Sequence, residues 1–171
     1  MIKPLPARGK GASPLNIEEI YRRHFEMVYR VSFSYLKNPS DAEDVTADVF
    51  AKLMQKNVSF QNAEHEKAWL IRTAINTCKD NLSHWWRSRA DIDDYENLHG
   101  DEPFHIDETL KVVMELPTRY KDVIYLYYYE GYTSEEIARL LRKPHSTIRN
   151  HLREARNLLK GVLENEEREN R

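Results

Sequence analysis

Apolar residues recur at steps of three and four through most of the chain, the spacing that places side chains on one face of an α-helix. A first helix is predicted from about Ile17 to Leu36, because Asn16 can cap it and Glu19 follows three residues later. Pro39 lies just beyond its predicted end. The apolar stripe of this helix comprises Ile17, Ile20, Tyr21, Phe25, Val28 and Tyr35.

Two more helices are predicted in the first half of the chain. The second starts with Ser40 as N-cap and Glu43 at the third position. Its apolar stripe comprises Val45, Val49, Phe50 and Leu53. After a polar loop over 55–66, the third helix runs from about Lys67 to Arg87. It has an apolar stripe, Ile71, Ile75, Cys78, Leu82 and Trp85. A polar, partly cationic stripe turned by about 100° comprises Arg72, Asn76, Lys79 and Ser83.

The last third of the chain is predicted to be helical as well. A helix begins near Leu110 with Val113 and Met114, and Pro117 starts another that ends at Gly131. The core side of that next helix is predicted to carry Val123, Ile124, Tyr127 and Tyr128.

The clearest local signal follows at Thr133. Thr133 and Glu136 form a capping-box pattern, and Tyr132 and Ile137 occupy the positions of a hydrophobic staple. A short helix over 134–141, a turn over 142–144 and a helix from about His145 to Leu163 are predicted. The buried stripe of the last helix comprises Ile148, Leu152, Ala155 and Leu159. The polar tail 164–171 is expected to fray.

Charge is distributed unevenly along a chain whose net charge is −2. Residues 91–108 contain eight acids and no Lys or Arg, so the remainder carries +6. Because this block shows no periodicity, a linker is predicted there. The single cysteine, Cys78, excludes an internal disulfide and fits a reducing cytosol. Neither a signal peptide nor a membrane-length apolar run is visible, so a soluble protein is expected.

The last two helices have the dimensions of a helix-turn-helix, whose second helix enters the major groove of DNA. Arg can pair with guanine and Asn with adenine, and the side opposite the buried stripe carries Ser146, Arg149, Asn150 and Arg153. Thr147 stands at the helix N-terminus, which suits a phosphate. Arg142, Lys143 and Arg156 could contact the DNA backbone. The alternative is an ordinary helical hairpin with a basic solvated face.

The third helix is a second candidate, because cationic faces with aromatic rings bind single-stranded nucleic acid. The available rings are Phe60, Trp69, Trp85 and Trp86. Trp69 and Trp85 are expected to belong to the core, and Trp86, which lies off the apolar stripe, is the ring expected to be exposed. The pattern leaves the role of Phe60 undecided. Cys78 is expected to be inert. The second helix carries Asp41, Glu43, Asp44 and Asp48, which serve either as capping and solvated groups or as a surface for a basic protein.

These residues, taken in order, resemble the extracytoplasmic-function group of bacterial sigma factors. Residues 41–45 with Val49 and Phe50 resemble region 2.2, and 69–76 with Asp80 resemble region 2.4. The segments 116–123, 130–138, 147–149 and 155–156 are similar to region 4. The resemblance covers about residues 16–163.

The resemblance implies three binding surfaces. The first would grip the coiled coil of the polymerase beta-prime subunit through Asp41, Glu43, Asp44, Asp48, Phe50 and Lys52. The second would capture the melted minus-ten strand through Phe60, Lys67, Arg72, Asn76, Lys79, Trp86 and Arg87. The third would bind the minus-thirty-five element through Arg142, Lys143, Ser146, Thr147, Arg149, Asn150, Arg153 and Arg156. The acidic linker would thread through a cationic channel of the polymerase, although solvation of a flexible tether explains its acids equally well.

The expected architecture is all-α, with two small helical domains joined by a flexible acidic linker. The predicted segments are an arm at 1–14, region 2 at 15–90, the linker at 91–106, region 4 at 107–163 and a tail at 164–171. No enzymatic activity, cofactor, metal or small-molecule substrate is expected. The expected partners are the core polymerase (beta-prime and beta subunits), promoter DNA and an anti-sigma factor. The location would be cytoplasmic, either free or held at the membrane by that factor.

Several positions depart from the family's pattern. Ala47 replaces a usual Gln in region 2.2, and His151 and Glu154 stand where basic residues are common. Arg142 and Lys143 replace a turn Gly and its apolar neighbour, so either Arg142 adopts a positive φ or the turn differs, at a cost of about 1 kcal/mol.

Two rival functions remain at the level of sequence. A helix-turn-helix regulator acting without polymerase leaves the acidic second helix and the 69–80 pattern unexplained. A metal-dependent hydrolase would need ligands such as His99 and His105, but no helical i, i+4 ligand pair accompanies them.

Overall fold

The computed structural model describes residues 16–56, 58–88 and 108–169, and every regular element in these ranges is a helix. They are α1 (Ile17–Leu36), α2 (Pro39–Gln55), α3 (Ala63–Ser88), α4 (Glu108–Glu115), α5 (Thr118–Tyr128), α6 (Ser134–Leu141) and α7 (His145–Glu169). The chain divides into two units, Met1–Gly100 and Asp101–Arg171. The all-α prediction with two helical domains is confirmed. The predicted linker and N-terminal arm lie outside the described residues.

The first unit is a three-helix arrangement in which α1 packs against both α2 and α3. Its core is aliphatic and aromatic, comprising among others Ile20, Val28, Val45, Val49, Leu53, Leu70, Ile71 and Cys78. The predicted bounds of α1 are confirmed: Asn16 Oδ1 accepts from Glu19 N at 3.3 Å, and Lys37 ends the helix at φ 54°. Because the left-handed Lys37 ends α1, the next residue, Asn38, can act as the N-cap of α2.

The prediction of Ser40 as the cap of α2 is wrong. Asn38 is the N-cap, and its Oδ1 accepts from Asp41 N at 3.2 Å. Pro39 follows in the first turn, where its missing N–H costs nothing because that group has no partner in a helix. The proline therefore belongs to α2 and does not separate it from α1.

The third helix also begins earlier than predicted, at Ala63 instead of Lys67. Asn62 Oδ1 accepts from His65 N at 2.8 Å, which caps this first turn. Within it, Glu66 is buried and its Oε1 lies 2.8 Å from His24 Nε2 of α1. This buried polar pair ties the start of α3 to α1 and stabilises residues that were predicted to form a loop.

The second unit contains α4 to α7, with α7 packed against both α5 and α6. Val123 and Ile124 are buried as predicted, but Tyr128 is 56% exposed, so its assignment to the core is wrong. Tyr125 and Leu126 are buried instead. They belong to a stretch of α5, residues 121–126, in which every residue is buried. The helical backbone of α7 continues to Glu169, past the predicted end at Leu163. Residues 162–169 contain helix-forming Glu and Leu and no Pro or Gly.

Candidate nucleic-acid interface

The N-terminus of α6 is stabilised by a reciprocal capping box. Thr133 N donates to Glu136 Oε2 at 2.8 Å, and Glu136 N donates to Thr133 Oγ1 at 3.3 Å. Thr133 Oγ1 also donates to Glu136 Oε2 at 2.8 Å. The bonds from Thr133 N and Thr133 Oγ1 hold the pKa of the Glu136 carboxyl below its usual value. Tyr132 and Ile137 are buried on either side of the cap. The predicted helix, its capping box and the burial of both staple residues are confirmed.

The turn between α6 and α7 depends on one left-handed residue. Arg142 has φ 54° and ψ 46°, and its N–H donates to the carbonyls of Ala138 and Arg139. Lys143 N donates to Ala138 O at 3.0 Å, so the last turn of α6 is closed as in a Schellman-type end. Of the two alternatives that the sequence leaves open, the structure shows the positive φ at Arg142. Beyond the turn, His145 Nε2 lies 2.8 Å from Ser134 Oγ, which joins the first residues of the two helices.

The α7 helix has a buried face and a cationic face. Ile148, Leu152 and Ala155 are at most 4% exposed, while Leu159 is half-buried. The side chains predicted to meet DNA bases, Ser146, Arg149, Asn150 and Arg153, are all exposed. A concave surface enclosing about 600 Å³ is lined by Tyr127, Ser134, Ser146, Arg149, Asn150, Leu152, Arg153 and Arg156. The structure therefore brings most of the α7 candidates to one side of the helix-turn-helix.

The remaining candidates of this unit lie in the turn before α7, in its first turn and further along the helix. Arg142 is exposed, and Lys143 and Thr147 are half-buried near the start of α7. Arg156 is exposed, and its Nε donates to Tyr128 Oη at 2.9 Å. No sequence signal indicated this contact, because periodicity within α5 or α7 says nothing about pairs between them.

Ionisable groups behind this surface favour their uncharged forms. Burial raises the pKa of Asp122 in α5 to about 7, although the charge of Lys143 opposes the shift. Burial and the charge of Lys143 together lower the pKa of His151, despite the opposing charge of Glu154. Tyr120 Oη donates to Glu154 Oε2 at 2.5 Å. The positive charge of the α7 face therefore comes from its exposed arginines rather than from His151.

The polar stripe of α3 lies at the surface of the first unit. Asn76 and Lys79 are exposed and Arg72 and Lys67 are half-buried. Lys79 Nζ lies 5.8 Å from the ring centroid of Tyr35. Phe60 is half-buried, with its ring centroid 5.9 Å from that of Trp69 and 5.7 Å from that of His65. The side chains of Trp85, Trp86 and Arg87 lie outside the described residues.

On α2, the candidate polymerase contacts separate into two groups. All four acids, Asp41, Glu43, Asp44 and Asp48, are exposed. Phe50 is only 4% exposed and packs on Tyr21 with ring centroids 4.8 Å apart, so it belongs to the core. Lys52 is half-buried, and its Nζ donates to Thr77 Oγ1 at 2.8 Å. Burial therefore removes Phe50 from the predicted contact surface.

Cys78 is buried in the core of the first unit. Burial raises the pKa of Cys78 to about 12, so this cysteine is a thiol at neutral pH. Within the described ranges, no group of three or more His, Cys, Asp or Glu residues is arranged to hold a metal ion. None of the described helices combines the length and apolar character needed to cross a membrane.

One unit is a helix-turn-helix with an arginine-rich face, and the other is a helical unit with separate acidic and cationic faces. Together these features define a two-part helical DNA-binding protein. Comparison with known families agrees. Residues 20–90 match Sigma-70 region 2, and residues 106–159 match Sigma-70, region 4. RNA polymerase sigma factor SigV of Bacillus subtilis (strain 168) is 31% identical over 147 residues, covering 84% of this chain and 89% of that protein.

Two further proteins are similar over most of the chain. The ECF RNA polymerase sigma factor SigE of Mycolicibacterium smegmatis is 26% identical over 168 residues, which cover 92% of this chain and 65% of that longer protein. The sigma factor RpoE of Bartonella quintana, crystallised with the anti-sigma factor NepR, has the same fold. Its TM-score is 0.72 at 21% identity, covering 87% of this chain and 97% of that one.

The chain belongs to the sigma-70 family of RNA polymerase sigma factors, in its extracytoplasmic-function group. Its activity is therefore that of a transcription initiation factor, which acts with RNA polymerase on promoters. The region 2 match includes both the acidic face of α2 and the polar stripe of α3, the two features that a simple helix-turn-helix regulator leaves unexplained.

Proposed function

We propose that this sigma factor holds the core polymerase through the acids of α2 and holds promoter DNA through α3 and α7. In this proposal residues 15–90 act as region 2 and 107–163 as region 4, with 91–106 as the tether and 1–14 and 164–171 outside both. The observation that supports it most is the common exposed face of Arg149, Asn150 and Arg153 in a helix-turn-helix whose turn is fixed by Arg142.

For the minus-thirty-five element, α7 is the reading helix. Arg149 and Arg153 can pair bidentately with guanine and Asn150 with adenine, and Ser146 can bond to either. Thr147 lies in the first turn of α7, where backbone N–H groups point at a phosphate. Arg142, Lys143 and Arg156 are the backbone contacts in this scheme. Because cations dominate this surface, affinity for DNA should fall steeply with salt.

For the minus-ten element, the polar stripe of α3 follows the melted strand. Arg72, Asn76 and Lys79 supply hydrogen bonds and charge in this proposal, and Lys67, Trp86 and Arg87 are proposed as further contacts. The half-buried ring of Phe60 offers a face on which a base can stack. The binding of unpaired bases by the protein offsets the free-energy cost of unpairing, which is a few kcal/mol per base.

For the polymerase, four exposed carboxylates on one helix form a surface suited to a basic partner. By resemblance, that partner is the coiled coil of the beta-prime subunit, with further contacts to the beta subunit. Phe50 supports this surface from the core, and Lys52 is held by Thr77. The tether at 91–106, with its acids, would run through the cationic channel of the enzyme.

On this proposal the protein makes and breaks no bonds and uses no cofactor. It contributes binding energy that positions the polymerase and stabilises melted DNA. The RpoE relative is bound to an anti-sigma factor in its crystal, so by similarity such a factor regulates this chain too. The sigma factor would then act in the cytoplasm, either free or held at the membrane by its anti-sigma partner.

The test uses core polymerase, the full chain and a genomic library. In vitro transcription recovers promoter fragments, and the variants are then compared on them. Arg149→Ala should weaken recognition of the upstream element by about 1–3 kcal/mol and leave affinity for core unchanged. Arg22→Ala, which removes an exposed cation from α1, is the control and should change neither.

The reciprocal variant carries Asp44→Lys and Asp48→Lys. Reversing two exposed charges should abolish tight binding to core while leaving the helix-turn-helix folded. Its control carries Glu18→Lys and Glu26→Lys, the same charge change at exposed positions of α1. Loss of core binding in Arg149→Ala would contradict the assignment of α7 to DNA. Unchanged affinity for core in the variant with Asp44→Lys and Asp48→Lys would contradict the assignment of α2 to the polymerase.

A further inference from the structure

Two tyrosines at the end of α5 enclose one arginine of α7. Arg156 Nε donates to Tyr128 Oη at 2.9 Å. The guanidinium carbon of Arg156 lies 5.3 Å from the ring centroid of Tyr127 and 5.8 Å from that of Tyr128. The two rings meet edge to face at 5.0 Å. These three residues are called the Tyr–Arg cluster. Arg156 is exposed, Tyr128 is 56% exposed and Tyr127 is half-buried, so the cluster is accessible from solvent.

The cluster adjoins the face of α7 that is proposed to contact the bases, which carries Arg149, Asn150 and Arg153. Arg149, Arg153 and Arg156 are spaced i, i+4 and i+7, so they lie on one side of α7. Tyr127, Arg149 and Arg156 also line the same concave surface. The helical rise places Arg156 about 10 Å along the axis from Arg149. The major groove is about 12 Å wide. With the N-terminal part of α7 at the bases, Arg156 would therefore lie close to the phosphates at the edge of the groove.

The bond to Tyr128 leaves suitable donors for a phosphate. It uses Nε of Arg156, whereas the two η nitrogens carry the other four of the five guanidinium N–H groups. An exposed arginine loses rotamer freedom when it binds, and a guanidinium already held in place loses less. A tyrosine ring against the Arg156 guanidinium adds a cation–π attraction and does not neutralise the positive charge.

We propose that Tyr128 is a positioning residue: it holds Arg156 of α7 ready to bind a backbone phosphate of the upstream promoter duplex. The inference rests on the proposed function, because it requires α7 to lie in the groove of that duplex. It assigns Tyr128 a role in affinity rather than in sequence preference, since phosphate contacts carry no base information.

The test measures affinity of the holoenzyme for the upstream duplex of a promoter fragment recovered by in vitro transcription, over a range of salt concentrations. Tyr128→Phe keeps the ring and the arginine and removes one hydrogen bond, so affinity should fall about two- to tenfold with an unchanged salt slope. Arg156→Lys, which keeps the charge but has no Nε, should show a similar loss. Arg156→Ala should lower the salt slope by about 1. Tyr21→Phe, at another exposed tyrosine, is the control and should leave affinity unchanged.

The decisive comparison is Tyr128→Phe in the Arg156→Ala background, where no further loss is expected. An equal loss in both backgrounds would mean that Tyr128 acts through folding or through another contact, and would overturn the inference. Unchanged affinity of Tyr128→Phe would overturn it as well. If Arg149→Ala also left duplex affinity unchanged, α7 would not be the reading helix, and the proposed function would fail together with the inference.

Discussion

Asp122 provides a pH-dependent test of the second unit. This residue of α5 is only 4% exposed, and burial raises the pKa of its carboxyl from 3.8 to about 7. The charge of Lys143, in the turn before α7, opposes this shift without cancelling it. The folded protein therefore keeps a proton on Asp122 under conditions in which the unfolded chain has released it.

The sign of the effect on stability follows from proton linkage. Because the folded-state pKa lies above the unfolded value, the contribution of Asp122 is fully present below about pH 3.8 and is lost as pH rises through about 7. An interval from 3.8 to about 7 corresponds to at most about 4 kcal/mol in the free energy of unfolding. Asp122→Asn carries no titrating group, so it should gain stability relative to the parent across that window.

The assay is urea unfolding of both chains between pH 4 and pH 8, followed by backbone hydrogen exchange in α5 and α7. The stability of Asp122→Asn minus that of the parent should rise with pH and then level off above about pH 7. A carbon NMR titration of the Asp122 carboxyl measures the pKa directly. A flat difference between the two chains, or a carboxyl that titrates near its usual value, would refute this reasoning.

Two backbone features of the helix-turn-helix give further predictions. Arg142→Gly removes the strain of a left-handed residue and should stabilise the second unit by about 1 kcal/mol in urea unfolding; equal or lower stability would count against strain at φ 54°. Thr133→Ala removes half of the capping box and should cost about 1 kcal/mol, seen as faster hydrogen exchange at the start of α6. Unchanged exchange there would mean that the cap contributes little.

Local signals predicted some helix ends well and others poorly. The bounds of α1 and α6 followed from Asn16 and Thr133, because each cap is followed at the third helical position by a glutamate. The prediction of Ser40 as the cap of α2 failed because proline is favoured in the first turn of a helix, so that Pro39 belongs to α2 and Asn38 caps it. Asn62 was overlooked because α3 begins inside a polar segment, where the tertiary contact between Glu66 and His24 stabilises the helix.

The candidate surfaces show the same division between local and tertiary information. The exposed face of α7 was predictable, since the buried stripe of Ile148, Leu152 and Ala155 fixes which residues lie opposite. The contact between Tyr128 and Arg156 was not, because it joins two helices across 28 residues of sequence. Burial of Asp122 was equally hidden, since no periodic pattern predicts a carboxyl inside the core.

In the proposed function, one chain touches promoter DNA at two separate places while it is bound to the polymerase. Hydroxyl-radical footprinting of the holoenzyme on a recovered promoter fragment tests it most directly. Two protected patches are expected, the upstream one lost in Arg149→Ala and the downstream one retained. A single continuous patch, or loss of both patches together in that variant, would contradict the account.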